Sequence, residues 1–224
     1  MDSPLVDIGD VILHGIVFDP KNAERVRTMD ADELLRSVPR LFELLDQRQV
    51  EYLLVGGIAM LVYVQGRNTQ DIDLIVARDQ LARVPEITLE EENPNFALGW
   101  LGQLRLDFLL THNQLFNTVR KHYATRQWFA GREVPCATVE GLLLLKLFAL
   151  PDLYRQGRFD KVRTYRKDIA DLLDLQPSPD VAQLFAELGR HMVPSDVVEL
   201  RNIVSEIEAE RVREQRRFQN GNGG

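Results

Sequence analysis

Two aspartates, Asp71 and Asp73, stand one residue apart in the run DIDLIV. In a strand, side chains two positions apart leave the same face, so the two carboxylates would lie side by side. Like charges held that close repel each other unless a cation joins them. An all-oxygen pair suits Mg²⁺ (or Mn²⁺), which takes one or two carboxylates and fills its remaining positions from substrate phosphates. Upstream, Gly56 and Gly57 follow the apolar run YLLV and break it. Glycines let the backbone come close to a neighbour, and a helix that starts after them begins with unpaired N–H groups. That neighbour reads as a phosphate. A phosphate cradle beside a metal-binding carboxylate pair is the working part of an enzyme that transfers nucleotidyl groups.

The elements that must position these groups can be read around them. Tyr52–Val55 has strand length, Ile58 to Val64 reads as a buried helix closed by Gly66, and Asp71 to Val76 alternates as a second strand. Arg67 and Thr69 lie in the loop just before the carboxylates, either facing solvent or contacting phosphate. A further strand, Leu104–Leu110, carries Arg105, Asp107 and Leu109 on one face. Taken alone, Asp107 marks an edge strand whose polar face meets water. Gly56-Gly57 is neither a dinucleotide fingerprint nor a Walker loop, because no third glycine and no Gly-Lys-Ser/Thr follows.

Before this block, Asp30 is the expected N-cap of a helix from Ala31 to about Arg48, with Pro39 marking a kink or a restart. The apolar run Val11 to Phe18 reads as an edge strand or a tethered arm. After it come a short polar helix near Arg78 to Val84 and an acidic, proline-bounded loop from Glu86 to Pro94. A helix from Asn113 to His122 and a hairpin across Gly131-Arg132 follow. From Thr138 onward only helices are expected, over about 142–150, 158–175, 179–188 and 194–217. The expected class is therefore α/β (α+β), a mixed sheet with flanking helices. The expected division is a core with an N-terminal helical or arm extension over 1–137, a helical C-terminal module over 138–217, and a disordered tail over 218–224.

The chain has 224 residues, enough for one large or two small domains with a sizeable core. Its single cysteine, Cys136, excludes an internal disulfide, and its four histidines lack zinc-ligand spacing. The acidic N-terminus lacks the basic region of a secretory signal. The longest apolar run, Gly141 to Leu150, contains Lys146 and is too short to span a bilayer. A cytoplasmic protein without membrane contact is expected. The net charge of −7 argues against a dedicated nucleic-acid coat but leaves room for a local basic surface. The one basic concentration runs from Arg155 to Lys167 and includes Arg158, Lys161, Arg163 and Arg166, with Tyr154, Phe159 and Tyr165 in or beside it. Such a run is either a solvated helix face or a seat for a phosphate-rich acceptor.

The string GG-x-A followed by GR-x-T-x-DID resembles the nucleotidyltransferase superfamily related to DNA polymerase beta. Within it the pattern is most similar to the MNT-like and AbiEii/MenT-type toxin nucleotidyltransferases. The resemblance implies transfer of a nucleoside monophosphate from a nucleoside triphosphate to a hydroxyl. Asp71, Asp73 and Asp107 would be catalytic metal ligands, the last supplied by a neighbouring strand. Gly56, Gly57, Arg67 and Thr69 would line the nucleotide. VEGLLLLKLFAL and YRKDIADLLDL resemble a second module of the AbiEii-like proteins, in which Lys146 would contact triphosphate and Asp168 would orient the lysine or the base. Without that resemblance, Lys146 reads as a snorkelling lysine and Asp168 as a surface acid. The implied acceptor is the 3′ end of transfer RNA, met by Arg155, Arg158, Lys161, Arg163 and Arg166, with a cognate antitoxin as partner. Alternatives are a small antibiotic-type or protein acceptor, or a degenerate nucleotide-binding regulator. Ile58 departs from the family's common Ser or Thr after the glycine pair.

Overall fold

The computed structural model describes residues 8–65, 69–129 and 131–221. Gly66, Arg67 and the tail beyond Gly221 lie outside the described residues. The chain divides within one helix into a first unit up to Leu142 and a second from Leu143.

The first unit opens with α1 (Ile8–Val17), a single 3-10 turn at Pro20–Asn22, and α2 (Ala23–Thr28). The run read as an edge strand or arm is therefore a helix. Ile8, Ile12 and Ile16 recur every fourth residue and are wholly buried, which is the spacing of one helical stripe. Next comes α3 (Ala31–Gln47), capped by the Asp30 carboxylate, which accepts from the Glu33 N–H at 3.0 Å. Pro39 lies inside this helix without breaking it. Leu34, Val38, Leu41, Phe42 and Leu45 make its buried face.

The sheet begins with β1 (Tyr52–Val55) and continues through α4 (Gly56–Met60), β2 (Ile72–Val76) and α5 (Arg78–Leu81). A strand, β3 (Thr88–Glu92), stands where a loop was expected, and β4 (Phe96–Leu101) follows over residues for which no element was read. β3 is mostly exposed, so its Glu90, Glu91 and Glu92 read as loop, although charges on an outer strand also block further strand addition. β5 (Leu104–Leu110) alternates cleanly, with Leu104, Leu106, Phe108 and Leu110 buried. Asn113 caps α6 (Gln114–His122), and β6 (Ala124–Phe129) and β7 (Arg132–Ala137) form the hairpin. The seven strands lie in the order β3-β4-β5-β2-β1-β7-β6. β1 runs antiparallel to β2 and parallel to β7, and β2 runs parallel to β5, so the sheet is mixed. Asp107 is consequently on an inner strand, not at an edge.

The division falls inside α7 (Val139–Arg155). The second unit continues with α8 (Phe159–Leu173), α9 (Val181–Leu188) and α10 (Pro194–Gly221). α10 runs past the point where the sequence suggested a tail. Leu200, Ile203, Val204 and Ile207 form its buried stripe. No described helix is long and apolar enough to cross a membrane.

One contact ties the N-terminal segment to the loop before β2. A Cβ on Gly15 would lie 2.2 Å from the Thr69 carbonyl oxygen, so α1 touches this loop at a position that only glycine can fill. Gly15→Ala should lower stability by about 2 kcal/mol through overpacking against rigid backbone. Calorimetry would then read a melting temperature lower by roughly 4–8 °C.

Candidate active site

Asp73 sits at the centre of the constellation. In the sheet register it pairs with Val55 on β1, the residue before Gly56, and with Asp107 on β5. Parallel register places Asp73 and Asp107 side by side on one face, half-buried like Asp71. β2 starts at Ile72, so Asp71 stands just ahead of the strand. Gly56 adopts a left-handed φ of 67°, and a Cβ there would fall 1.8 Å from Asp73 Oδ2. The Gly57 N–H points at the same oxygen, 3.4 Å away. A Cβ on Gly57 would meet the Thr69 hydroxyl at 2.5 Å, and that hydroxyl donates to Asp71 Oδ1 at 3.0 Å. The glycine pair thus makes room for Asp73 and Thr69, where the sequence suggested room for a phosphate. Ile58, at the position where the family commonly carries Ser or Thr, is fully buried and belongs to the core.

Residues ahead of α3 complete the support. The Gln70 side chain donates to Asp19 Oδ2 at 2.8 Å and accepts from Asn22 at 2.9 Å. Neither partner carried a signal in the sequence, because the contacts span about fifty residues. Arg105 grips Asp107 with two hydrogen bonds, Nε to Oδ1 at 3.0 Å and a terminal nitrogen to Oδ2 at 3.2 Å. Burial works against the Arg105 charge. Its bonds to Asp107 and the fields of Asp107, Asp71 and Asp73 outweigh that and push its pKa above the ordinary value. Arg25, on α2, is pushed the other way, first by burial and then by Arg105, with Asp71 partly opposing.

In the second unit, Lys146 and Asp168 meet each other. The ammonium lies 2.7 Å from Asp168 Oδ2 and 4.5 Å from the centre of the Tyr165 ring, and both side chains are almost fully buried. Lys146 does not snorkel and Asp168 is not a surface acid. The basic run is largely self-neutralised. Arg155 pairs with Asp152 and Asp196, Arg163 with Asp160, Arg166 with Glu206 and Glu210, and Lys167 with Asp171. Among the described residues Arg158 and Lys161 are exposed and form no ion pair.

No protein-family model and no curated protein matches this chain. Among solved structures, it is similar to an antigenic nucleotidyltransferase-like protein from Paracoccidioides brasiliensis, with 20% identity and a TM-score of 0.50 over 80% of this chain and 93% of that one. The fold is a nucleotidyltransferase fold. Two structures of the antibiotic-resistance factor ANT(2'')-Ia also match at 14% identity and a TM-score of 0.49. One is a solution structure covering 81% of this chain and 96% of its own. The other is a crystal complex with adenylyl-2''-tobramycin covering 74% and 95%.

Whether these residues fit a divalent cation depends on their donors. Among the described residues, no three His, Cys, Asp or Glu converge closely enough to enclose a metal ion. Asp107 is held by Arg105, which leaves the hard-oxygen pair Asp71 and Asp73. Two carboxylates are the protein share that Mg²⁺ ordinarily takes, with substrate phosphates and water completing its octahedron. The donors fit.

The seat of Asp73 can be probed by comparison with Gly131, which has a φ of 78° and nothing within 4 Å of the point where a Cβ would stand. Gly131→Ala should cost only backbone strain, about 1–2 kcal/mol. Gly56→Ala adds a clash with Asp73 and should cost about 1–3 kcal/mol more in urea unfolding. For the buried pair, Lys146→Ala should destabilise by about 3–5 kcal/mol, because it removes the cation from a buried carboxylate. Lys146→Met combined with Asp168→Leu should recover most of that loss in the same measurement.

Proposed function

We propose that this chain is a metal-dependent nucleotidyltransferase, moving a nucleoside monophosphate from a nucleoside triphosphate to a hydroxyl acceptor. The observation that carries this reading is the packing of Asp73 into the side of Gly56, with Asp107 beside it in register and Asp71 two residues before it. Folding uses a left-handed glycine and positions that lack a Cβ to fix a carboxylate among like charges. That arrangement is explained by a cation and an anionic substrate that use it.

Asp71 and Asp73 would hold the divalent cation, which when bound neutralises the triphosphate and polarises the α-phosphate. The acceptor oxygen attacks the α-phosphorus, a new P–O bond forms, and the bridge to the β-phosphate breaks to release pyrophosphate. Asp107 lies beside Asp73, where its carboxylate would take the proton from the attacking hydroxyl or join the metal set. Arg105 fixes the orientation of that carboxylate. Thr69 orients Asp71, while Gly56 and Gly57 make room for Asp73 and Thr69, their contact with the triphosphate belonging to this reading only through the family resemblance. Lys146 and Asp168 belong to this reading as a nucleotide-binding pair only through the family resemblance, as does Arg67.

A transfer RNA acceptor and an antitoxin partner also rest on the resemblance. The basic run that agreed with them is consumed mostly by its own acidic neighbours. A degenerate, non-catalytic domain would be expected to lack a carboxylate, and Asp71, Asp73 and Asp107 are all present.

The test is incubation with Mg²⁺, each α-labelled nucleoside triphosphate, and transfer RNA, cell protein or hydroxylated small molecules as acceptors. Label should pass to one acceptor class, and Asp71→Asn or Asp73→Asn should reduce the rate by at least about a hundredfold. Equal transfer by the double variant, with folding verified by circular dichroism, would refute the assignment.

A further inference from the structure

Two guanidinium groups stand beside the carboxylates, on the far side of Asp73 from the glycine turn. The strand order places β1 on one side of β2 and β5 on the other. Arg105 shares a face of β5 with Asp107 and pairs across the sheet with Trp100 of β4. Arg25, from α2, lies over the Trp100 ring with its guanidinium carbon 5.5 Å from the centroid. It also donates to the Gln103 carbonyl at 3.2 Å. The indole itself is fixed by its N–H bond to Glu90 at 2.7 Å. Among the described residues Arg25 has no carboxylate within ion-pair distance. It is half-buried and close enough to Arg105 for the two charges to oppose one another.

Arg105 already has Asp107 as its anion, so the unmatched charge is that of Arg25, which is unfavourable when drawn partly out of water until an anion joins it. The planar fork of a guanidinium, stacked on an aromatic face, is also the geometry that receives a phosphate through two parallel bonds. If the triphosphate lies along the glycine turn, the Arg25 and Arg105 side of Asp73 is where the attacking hydroxyl enters. We propose that Arg25, set beside the Arg105–Asp107 pair, selects the acceptor by binding a phosphate or phosphodiester carried next to the attacked hydroxyl. The proposal rests on the nucleotidyl-transfer reading and names its substrate class. It disfavours polycationic acceptors such as aminoglycosides, whose ammonium groups the two guanidiniums repel. It also places anion recognition at the sheet rather than on the basic run of α8.

The shared chemistry, a hydroxyl beside a phosphate, occurs both at the end of a nucleic acid and in a free nucleotide or sugar phosphate. Binding can be read without nucleoside triphosphate or metal, from Trp100 fluorescence in a Trp128→Phe background with a chelator present. The probes are a short RNA with a free 3′ hydroxyl, a nucleoside 5′-monophosphate, and kanamycin. One or both phosphorylated probes should shift the emission, and whichever binds more tightly names the source. Arg25→Ala should weaken that binding by roughly tenfold, and Arg25→Lys should restore part of it. For the RNA, the slope of log Kd against log salt should fall by about 1 in Arg25→Ala. In turnover, the same variant should raise the acceptor's KM and leave that of the triphosphate unchanged. Tighter binding of kanamycin, unchanged affinity in Arg25→Ala, or a rise in the triphosphate KM alone would overturn the proposal. The binding arm needs no transfer, so its result stands apart from the fate of the enzymatic assignment.

Discussion

The segment from Thr69 to Asp73 occupies its place only because three positions facing it lack a Cβ. Gly15 gives way to the Thr69 carbonyl, Gly57 to the Thr69 side chain, and Gly56 to the Asp73 carboxylate. Each approach is shorter than any other residue would permit, and Gly56 adds a left-handed backbone. The consequences spread outward through the sheet. With Asp73 fixed, β2 holds its register against β1 and β5, and Asp107 comes to lie beside it. With Thr69 fixed, its hydroxyl holds Asp71. The N-terminal helices serve the same end, since Asp19 and Asn22 grip Gln70 next to the two acids.

The charges of the molecule fall into two kinds. On α8 and the helices around it, Arg155, Arg163, Arg166 and Lys167 meet acids close to water, where pairs of this sort add little stability. Beside β5 the balance is left open. Arg105 is shared among three carboxylates, and Arg25 rests on an indole and a carbonyl. In the second unit, Lys146 and Asp168 are buried against one another, so each depends on the other for its charge. A chain with a net negative charge can therefore still bring guanidinium groups together, and it does so where acids are also concentrated.

Much of the fold was legible where a single physical signal dominated. The strand, glycine turn and strand over 52–76 follow from two-residue alternation and from the break at Gly56. The strand over 104–110 follows from its clean alternation. β3 was illegible because a run of glutamates signals solvent, whether in a loop or along an outer strand. α1 was hidden because His14 and Gly15 interrupt its apolar run, while the stripe of Ile8, Ile12 and Ile16 extends beyond that run. α4 is shorter than its apolar content suggested, ending at Met60. At the site, residue types marked candidate side chains, and the structure brings Asp71, Asp73, Asp107 and Thr69 together. The partners of the glycines were not predictable, since a missing Cβ does not say what fills the space. Arg25 gave no signal at all, because its importance comes from a contact with strands more than seventy residues away. The basic run was visible as composition, but three of its neutralising acids, Asp196, Glu206 and Glu210, lie far along the chain on α10.

The seat for Thr69 on Gly15 also has a direction in time. During synthesis, α1 through α3 leave the ribosome before the loop that they will hold, and segments made first begin to fold first. The segments that hold the acidic loop are thus already made when it emerges, and its crowded carboxylates find their partners among residues synthesised before them.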